Sequence, residues 1–495
     1  LEEDIMMDDA ISRRELFKAA GAGIAVSGPL SAMVEPLSAD TSLTDLLPKT
    51  KVRIAKVYLG RTTPGWPLPH LDLAAEVQRF EANIAKLRAE LSDIEFVDGG
   101  LISNDQQLAE AKSKLSDVTG ILAIHLSLGT GAYLKSLLES NLPVMLFTMP
   151  YSGHEWHIVA ALQREGHRIE VLPSSRFEDL AVAVRPFRAM QRLRETRILH
   201  ISDVEANPAY TQAIRVKFGT EIKSLFLSDV QRAYDGASPD EAQADADRWI
   251  REARKVVEPS SEEILKSSRM YVALRNLLAE NQALAVTMNC LGMDLTEKGM
   301  GYPCLGFVRL NNAGLGGVCE ADLKSTMTHL IFSNLVGRPG FVTDPVFDLS
   351  NDTIIHAHCV AATQMRGTGE TPAPYLIRSH LEDYKGASLQ VKLPIGEKVT
   401  MARLIGTDLM LVSTGDAIDS PFVERACRTK LTTRVQNIDR FLENWSCGLH
   451  RVVFYGDHMR DIRRFCRFAQ VRVLREGIDD LRDVPGLEWE PSVHA

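Results

Sequence analysis

The sequence has no C-x-x-C pair: its seven cysteines stand at 290, 304, 319, 359, 427, 447 and 466. That spacing argues against a zinc ribbon or a thiol redox motif. An odd count over so long a chain also argues against a disulfide framework, so buried free thiols are expected. There is no excess of positive charge, because 56 Lys and Arg face 65 Asp and Glu for a formal net charge of -9. A chain of that balance lacks the basic footprint that binds phosphate backbones, and nucleic acid is not an expected partner. The nearest basic run, Arg460, Arg463, Arg464 and Arg467, is spaced for one face of a short helix. No glycine-rich loop of the P-loop or dinucleotide type occurs, and the glycines between 314 and 317 lead toward an acidic residue instead of a lysine. A serine nucleophile elbow is missing, as is any repeat with a period of 20 to 50 residues. No uncharged run reaches the roughly 20 apolar residues of an ordinary spanning helix, so stable membrane insertion is not expected.

What is present is ordinary globular composition, with 45% hydrophobic and 24% charged residues in 495. At roughly 150 residues per domain, that length suggests about three domains. Near the start, Ser12, Arg13 and Arg14 precede an uncharged Ala- and Gly-rich stretch from Ala19 to Val34, with small-residue cleavage points between Ser31 and Ala39. This resembles a twin-arginine export signal and makes residues 1–45 an expected signal and linker. A periplasmic or exported location is the expectation, with a cytoplasmic one as the alternative.

Beyond residue 50 the texture alternates. β-Branched runs at 51–59, 94–97, 121–125 and 144–147 are separated by helical patterns at 71–91 and 105–115. Strands alternating with helices predict a parallel, doubly wound α/β domain over 50–190. A strand at 196–201, long helices at 239–254 and 261–278 and a strand at 284–288 predict a second α/β domain over 195–340. From 345 to 495 the segments 353–360, 388–391, 400–405 and 408–413 predict a β-rich third domain.

The residues able to carry chemistry cluster late. Glu320, in Cys319-Glu320-Ala321-Asp322, stands at the start of a helical stretch from Leu323 to Val336, where anionic groups are favoured. Asp344 follows Gly340-Phe341-Val342-Thr343 at the expected end of a strand, where α/β sheets meet their ligands. His358 lies in a strand with His356 and Cys359, and His458 follows Gly456-Asp457. Two carboxylates with a histidine suit a hard or borderline divalent cation such as Mn2+.

The order of these residues, Cys-Glu-x-Asp, an Asp 24 residues beyond the Glu, a His-Cys strand and a late Gly-x-His, resembles the fucose isomerase and arabinose isomerase superfamily over about 285–475. The resemblance implies a divalent-metal-dependent aldose-ketose isomerase, an intramolecular oxidoreductase, with a carbohydrate substrate and a homo-oligomeric assembly. It implies that Glu320, Asp344 and His458 bind Mn2+ or another divalent cation, and that Glu320 and Asp344 also form the proton-transfer pair. His358 then belongs to the substrate pocket. Upstream, Arg61 and Trp66 follow the first strand, and His154 follows the strand at 144–147. These three are expected to bind sugar hydroxyls and carbon faces, with a reach into a neighbouring subunit's site.

Rivals stand beside three of these assignments. Asp348 competes with Asp344, His356 with His358, and His450 with His458. An export signal is unusual in this enzyme class and would fit a remodelled substrate, such as a sugar acid or a larger glycoside. The competing functions are a metal-dependent sugar epimerase or lyase, which shares the enolate chemistry, and a non-catalytic exported sugar-binding protein.

Overall fold

The computed structural model describes residues 41–445, 448–482, 484 and 487. The expected twin-arginine signal around Arg13 and Arg14 falls outside the described residues. The first sheet is parallel and formed by β1 (Val52–Leu59), β2 (Ile94–Ile102), β3 (Gly120–His125), β4 (Val144–Thr148) and β5 (Ile169–Pro173), in the order 2-1-3-4-5. β3 and β4 are buried at every position, which their unbroken apolar runs require. Helices between them start on the caps the sequence supplies: Asp72 accepts from Ala75 N ahead of Leu73–Ile84, and Asn104 accepts from Gln107 N ahead of Asp105–Ser113. Strand order reverses between β1 and β3, so a crevice opens at their carboxyl ends.

The second sheet joins β6 (Arg197–Ile201), β7 (Glu221–Leu225), β9 (Ala285–Met288) and β10 (Gly316–Cys319) in the parallel order 10-9-6-7. Between them β8 (Lys255–Val256) leaves this sheet. After β10 come Glu320 and Ala321, both in the left-handed region with φ of 64° and 52°. That conformation is uncommon for non-glycine residues and concentrates at functional sites. Helix Leu323–Val336 follows, as expected from its sequence. Asp322 Oδ1 caps it by accepting from Lys324 N at 2.9 Å and Ser325 N at 3.0 Å, and Gly337 ends it at φ 69°. This helix is buried nearly all round, packing against β10, the helix Arg185–Arg194 and the β-rich region. Its His329 is fully buried and neutral, pushed down to about 4 by burial, and ties Leu315 O to Gly340 N.

The remaining strands are β11 (Phe341–Asp348), β12 (Thr353–His358), β13 (Tyr375–Arg378), β14 (Ser388–Val391), β15 (Lys398–Ile405), β16 (Leu409–Asp419), β17 (Thr429–Arg434), β18 (Arg451–Tyr455) and β19 (Arg472–Arg475). Six of them run antiparallel in the order 15-18-11-12-17-16, and a β15–β16 pairing closes them into a barrel. β19 joins β16 in parallel. β13 pairs with β14 and with β8, so a small sheet ties the second α/β region to the β-rich one. Asp344 therefore does not end an α/β strand, as its sequence context suggested. It sits inside β11, in a barrel strand that pairs on both sides.

Candidate metal centre

Four side chains from separate elements meet where the second sheet abuts the barrel. Glu320 arrives from the turn after β10. Asp344 comes from β11, His358 ends β12, and His450 immediately precedes β18. The barrel register brings the last three together, since Asp344 pairs with Ala357 and Thr343 pairs with Arg451. Asp344, His358 and His450 thus occupy one level of three adjacent strands.

The geometry at that level is close and polar. Glu320 Oε1 lies 3.3 Å from His358 Nε2, and Glu320 Oε2 lies 3.3 Å from His450 Nε2. Asp344 Oδ1 is 3.2 Å from the same His450 nitrogen, and the two imidazole rings stand edge to face at 5.6 Å. Yet Asp344 Oδ1, His450 Nε2 and both ring nitrogens of His358 are buried with no hydrogen bond of acceptable direction. Each buried polar atom left so costs about 1–3 kcal/mol. Ligand atoms of Glu320, His358 and His450 all lie within 4.8 Å of one another, a group that could hold a divalent cation. Oxygen and imidazole donors together suit a hard or borderline ion, and orphaned lone pairs aimed at a common point are what such an ion satisfies.

The charges are strongly coupled. Burial would raise the Glu320 carboxyl, but the imidazoles of His358 and His450 outweigh it and hold the group well below the usual carboxylate range. Burial would lower His450, but Asp322, Asp344 and Glu320 outweigh it and raise the imidazole well above its ordinary value. His358 is raised in the same way, burial being overcome by Glu320 and Asp344.

His458 does not join this group. It precedes helix Met459–Ala469, its Nε2 meets Tyr455 O at 2.8 Å, and its backbone N–H donates to Thr400 Oγ1 at 2.9 Å. His450 and His458 flank opposite ends of β18, and the antiparallel pairing with β11 puts the His450 end beside Asp344. The expected ligand is thus replaced in the cluster by its rival. His358, expected only to line the pocket, contributes a ligand atom to the group. His356 lies between the hydroxyls of Thr343 and Thr433, at 3.1 and 3.0 Å, and burial with nearby Arg451 pushes it down to about 3, so it is a neutral core imidazole. Asp348 caps the turn before β12 by accepting from Ser350 and Asn351.

The upstream residues gather elsewhere, at the crevice of the first sheet. Arg61 donates from Nε to Gly129 O at 2.7 Å and lies over the Tyr133 ring, while Trp66 and His154 meet edge to face at 5.4 Å. Beneath them is a pair the sequence reading missed. Buried Glu155 lies 3.0 Å from His125 Nε2 and accepts from Gly129 N, Thr130 N and Thr130 Oγ1. Its signal was a histidine at the end of an apolar strand.

Among the described residues no helix is long and apolar enough to cross a membrane. The six cysteines described are free and buried, as expected.

No family model matches the chain. It is 26% identical over 200 residues to a sulfoquinovose isomerase of Clostridium sp. (strain MSTE9), a match that covers 38% of this chain and 43% of the relative. The chain therefore spans less than half the length of the curated relative it matches.

Proposed function

We propose that this chain is a sugar isomerase of the aldose-ketose kind, with a divalent cation held by Glu320, His358 and His450 and with Asp344 at its side. The observation that carries the reading is the convergence of ligand atoms of Glu320, His358 and His450, with the imidazole Nε2 atoms and Asp344 Oδ1 buried and unpartnered. The partial likeness to a sulfoquinovose isomerase supports the reaction class. A bound cation supplies Lewis acidity, polarising a sugar carbonyl and stabilising the negative charge of an enediolate.

The chain's own residues would do the proton work. A proton beside a carbonyl is too weakly acidic to leave unaided, so a base must stand within hydrogen-bond reach of carbon 2. Glu320 and Asp344 are the two carboxylates at the cluster. One takes the proton from carbon 2 and returns it at carbon 1, while the other moves the hydroxyl proton from oxygen 2 to oxygen 1. Glu320 approaches both imidazoles at 3.3 Å and Asp344 approaches His450 at 3.2 Å, so both carboxylates stand beside the proposed ion.

We propose further that Arg61, Trp66 and His154 bind carbohydrate for the site of a neighbouring copy in a homo-oligomer. A guanidinium beside an exposed aromatic face suits sugar hydroxyls and carbon faces. The resemblance to the fucose isomerase and arabinose isomerase superfamily supports such an assembly.

The test is direct. Protein supplied with Mn2+ is incubated in D2O with sulfoquinovose and a panel of unmodified aldoses and ketoses. Deuterium at carbon 1 of a ketose product supports isomerisation, and deuterium in an epimer or loss of a β-substituent would move the assignment to an epimerase or lyase. No exchange with any sugar, in protein shown to hold the ion, would overturn the reading.

A further inference from the structure

The motif that supplies Glu320 carries a second carboxylate with its own use. Glu320 and Asp322 face the same imidazole at its two nitrogens. Glu320 Oε2 lies 3.3 Å from His450 Nε2, and Asp322 Oδ2 lies 2.9 Å from His450 Nδ1. The two left-handed residues, Glu320 and Ala321, turn the chain tightly enough to place the carboxylates on opposite sides of one ring.

A helix cap alone would not need this. Oδ1 of Asp322 does the capping, accepting from the backbone N–H groups of Lys324 and Ser325. Oδ2 is left over, and three more groups converge on it: His450 Nδ1, Arg403 Nη1 at 2.9 Å and Ser325 Oγ at 2.7 Å. Arg403 Nη1 also donates to Ser325 Oγ at 3.0 Å, which commits the serine proton to Asp322. Arginine has no acceptor and an ionised carboxylate has no donor. Nδ1 of His450 must therefore carry a proton to make its bond. In the neutral ring that leaves the lone pair on Nε2, the nitrogen that faces Glu320 and Asp344 and has no hydrogen bond of its own.

We infer that Asp322 is a positioning residue for the proposed metal centre, fixing the ring orientation and the Nδ1–H tautomer of His450 so that Nε2 is presented as a ligand. The inference rests on the reading of Glu320, His358 and His450 as a metal site. Carboxylates behind a ligating histidine act this way in general, and their loss weakens metal affinity by about 10–100-fold. Arg403 holds Asp322 in place, and the same nitrogen also reaches His450 O at 3.4 Å.

The experiment measures Mn2+ affinity by EPR on the full chain, for wild type, Asp322→Asn and Ser325→Ala. Asparagine must turn its amide either to the helix cap or to His450, so it cannot satisfy both sides. Asp322→Asn is expected to bind Mn2+ roughly 10–100-fold more weakly. Ser325→Ala, which removes one bond to the same oxygen but spares His450, is expected to stay within about 3-fold of wild type. Unchanged affinity in a folded Asp322→Asn chain overturns the inference and leaves the metal site standing. Failure of wild type itself to bind Mn2+ overturns both. Should Asp322→Asn not fold, ring 15N NMR of Zn2+-loaded wild type decides the matter, with the His450 signals assigned by their loss in His450→Gln. A proton on Nδ1 with Zn2+ at Nε2 supports the inference, and a proton on Nε2 overturns it.

Discussion

Asp344 Oδ1 and His450 Nε2 lie 3.2 Å apart, both buried, and neither makes a hydrogen bond of acceptable direction to the other or to any described group. Ligand atoms of Glu320, His358 and the same His450 also lie within 4.8 Å of one another. Removing the charge of one carboxylate while keeping its shape separates chemistry from folding. Glu320→Gln is expected to retain the fold and to lose about 10²–10⁴-fold in turnover, the scale of general acid-base catalysis. Full activity in the folded variant would remove Glu320 from the proton transfer.

The two late histidines make opposite predictions. His450→Ala should abolish stoichiometric divalent metal, as read by elemental analysis of folded protein. His458→Ala should keep the metal and lose the hydrogen bond to Tyr455 O and the approach to Asp461, with the hydrogen bond contributing about 1 kcal/mol in urea unfolding. Loss of metal in His458→Ala with retention in His450→Ala would restore the assignment that the sequence suggested.

Why the sequence favoured the histidine that lies outside the cluster is a matter of register. Local patterns give the helix Leu323–Val336 and its acidic start, and they give the strand that ends in His358, because both follow from neighbouring residues. The choice between His450 and His458 depends on which end of β18 lies beside Asp344, and that depends on an antiparallel pairing more than a hundred residues away in the chain. Asp344 was misplaced for the same reason, since an apolar run before an acidic residue reads alike in a parallel sheet and in a barrel. In the sequence Asp322 appears only as the last residue of the Cys-Glu-x-Asp motif. Its second oxygen has a use only because His450 and Arg403 arrive from distant strands.

Acid should release the metal. His450 and His358 are both raised in the metal-free chain, the carboxylates outweighing burial, so each imidazole must give up a proton to act as a ligand. Mn2+ affinity is expected to rise with pH and to fall steeply as pH drops through and below neutrality. Stability of the metal-free chain runs the other way. A raised folded-state pKa contributes stability that is fully present below the unfolded imidazole value, about 6.5, and is lost as pH climbs through the folded value. Melting of metal-free wild type and His450→Gln at pH 6 and pH 8 checks the sign, because the gap between them should narrow at pH 8. A gap that widens would mean that His450 is not held protonated by its carboxylates.

The backbone that carries His450 is fastened by the next residue. Arg451 is almost wholly buried, and its Nη1 donates to Gly448 O at 3.1 Å and to His450 O at 2.9 Å. Its Nε and Nη2 meet the equally buried carboxylate of Glu476, and its guanidinium lies 3.9 Å from the Trp445 ring. Truncating one partner of such a pair leaves the other charge buried and alone, which costs about 3–5 kcal/mol. Arg451→Met is therefore expected to lose stability on that scale in urea unfolding, and Arg451→Met combined with Glu476→Gln to recover part of it, since the stranded carboxylate is then neutral. A loss under about 1 kcal/mol would show that water reaches Glu476 and that the pair does not hold the approach to β18 in place.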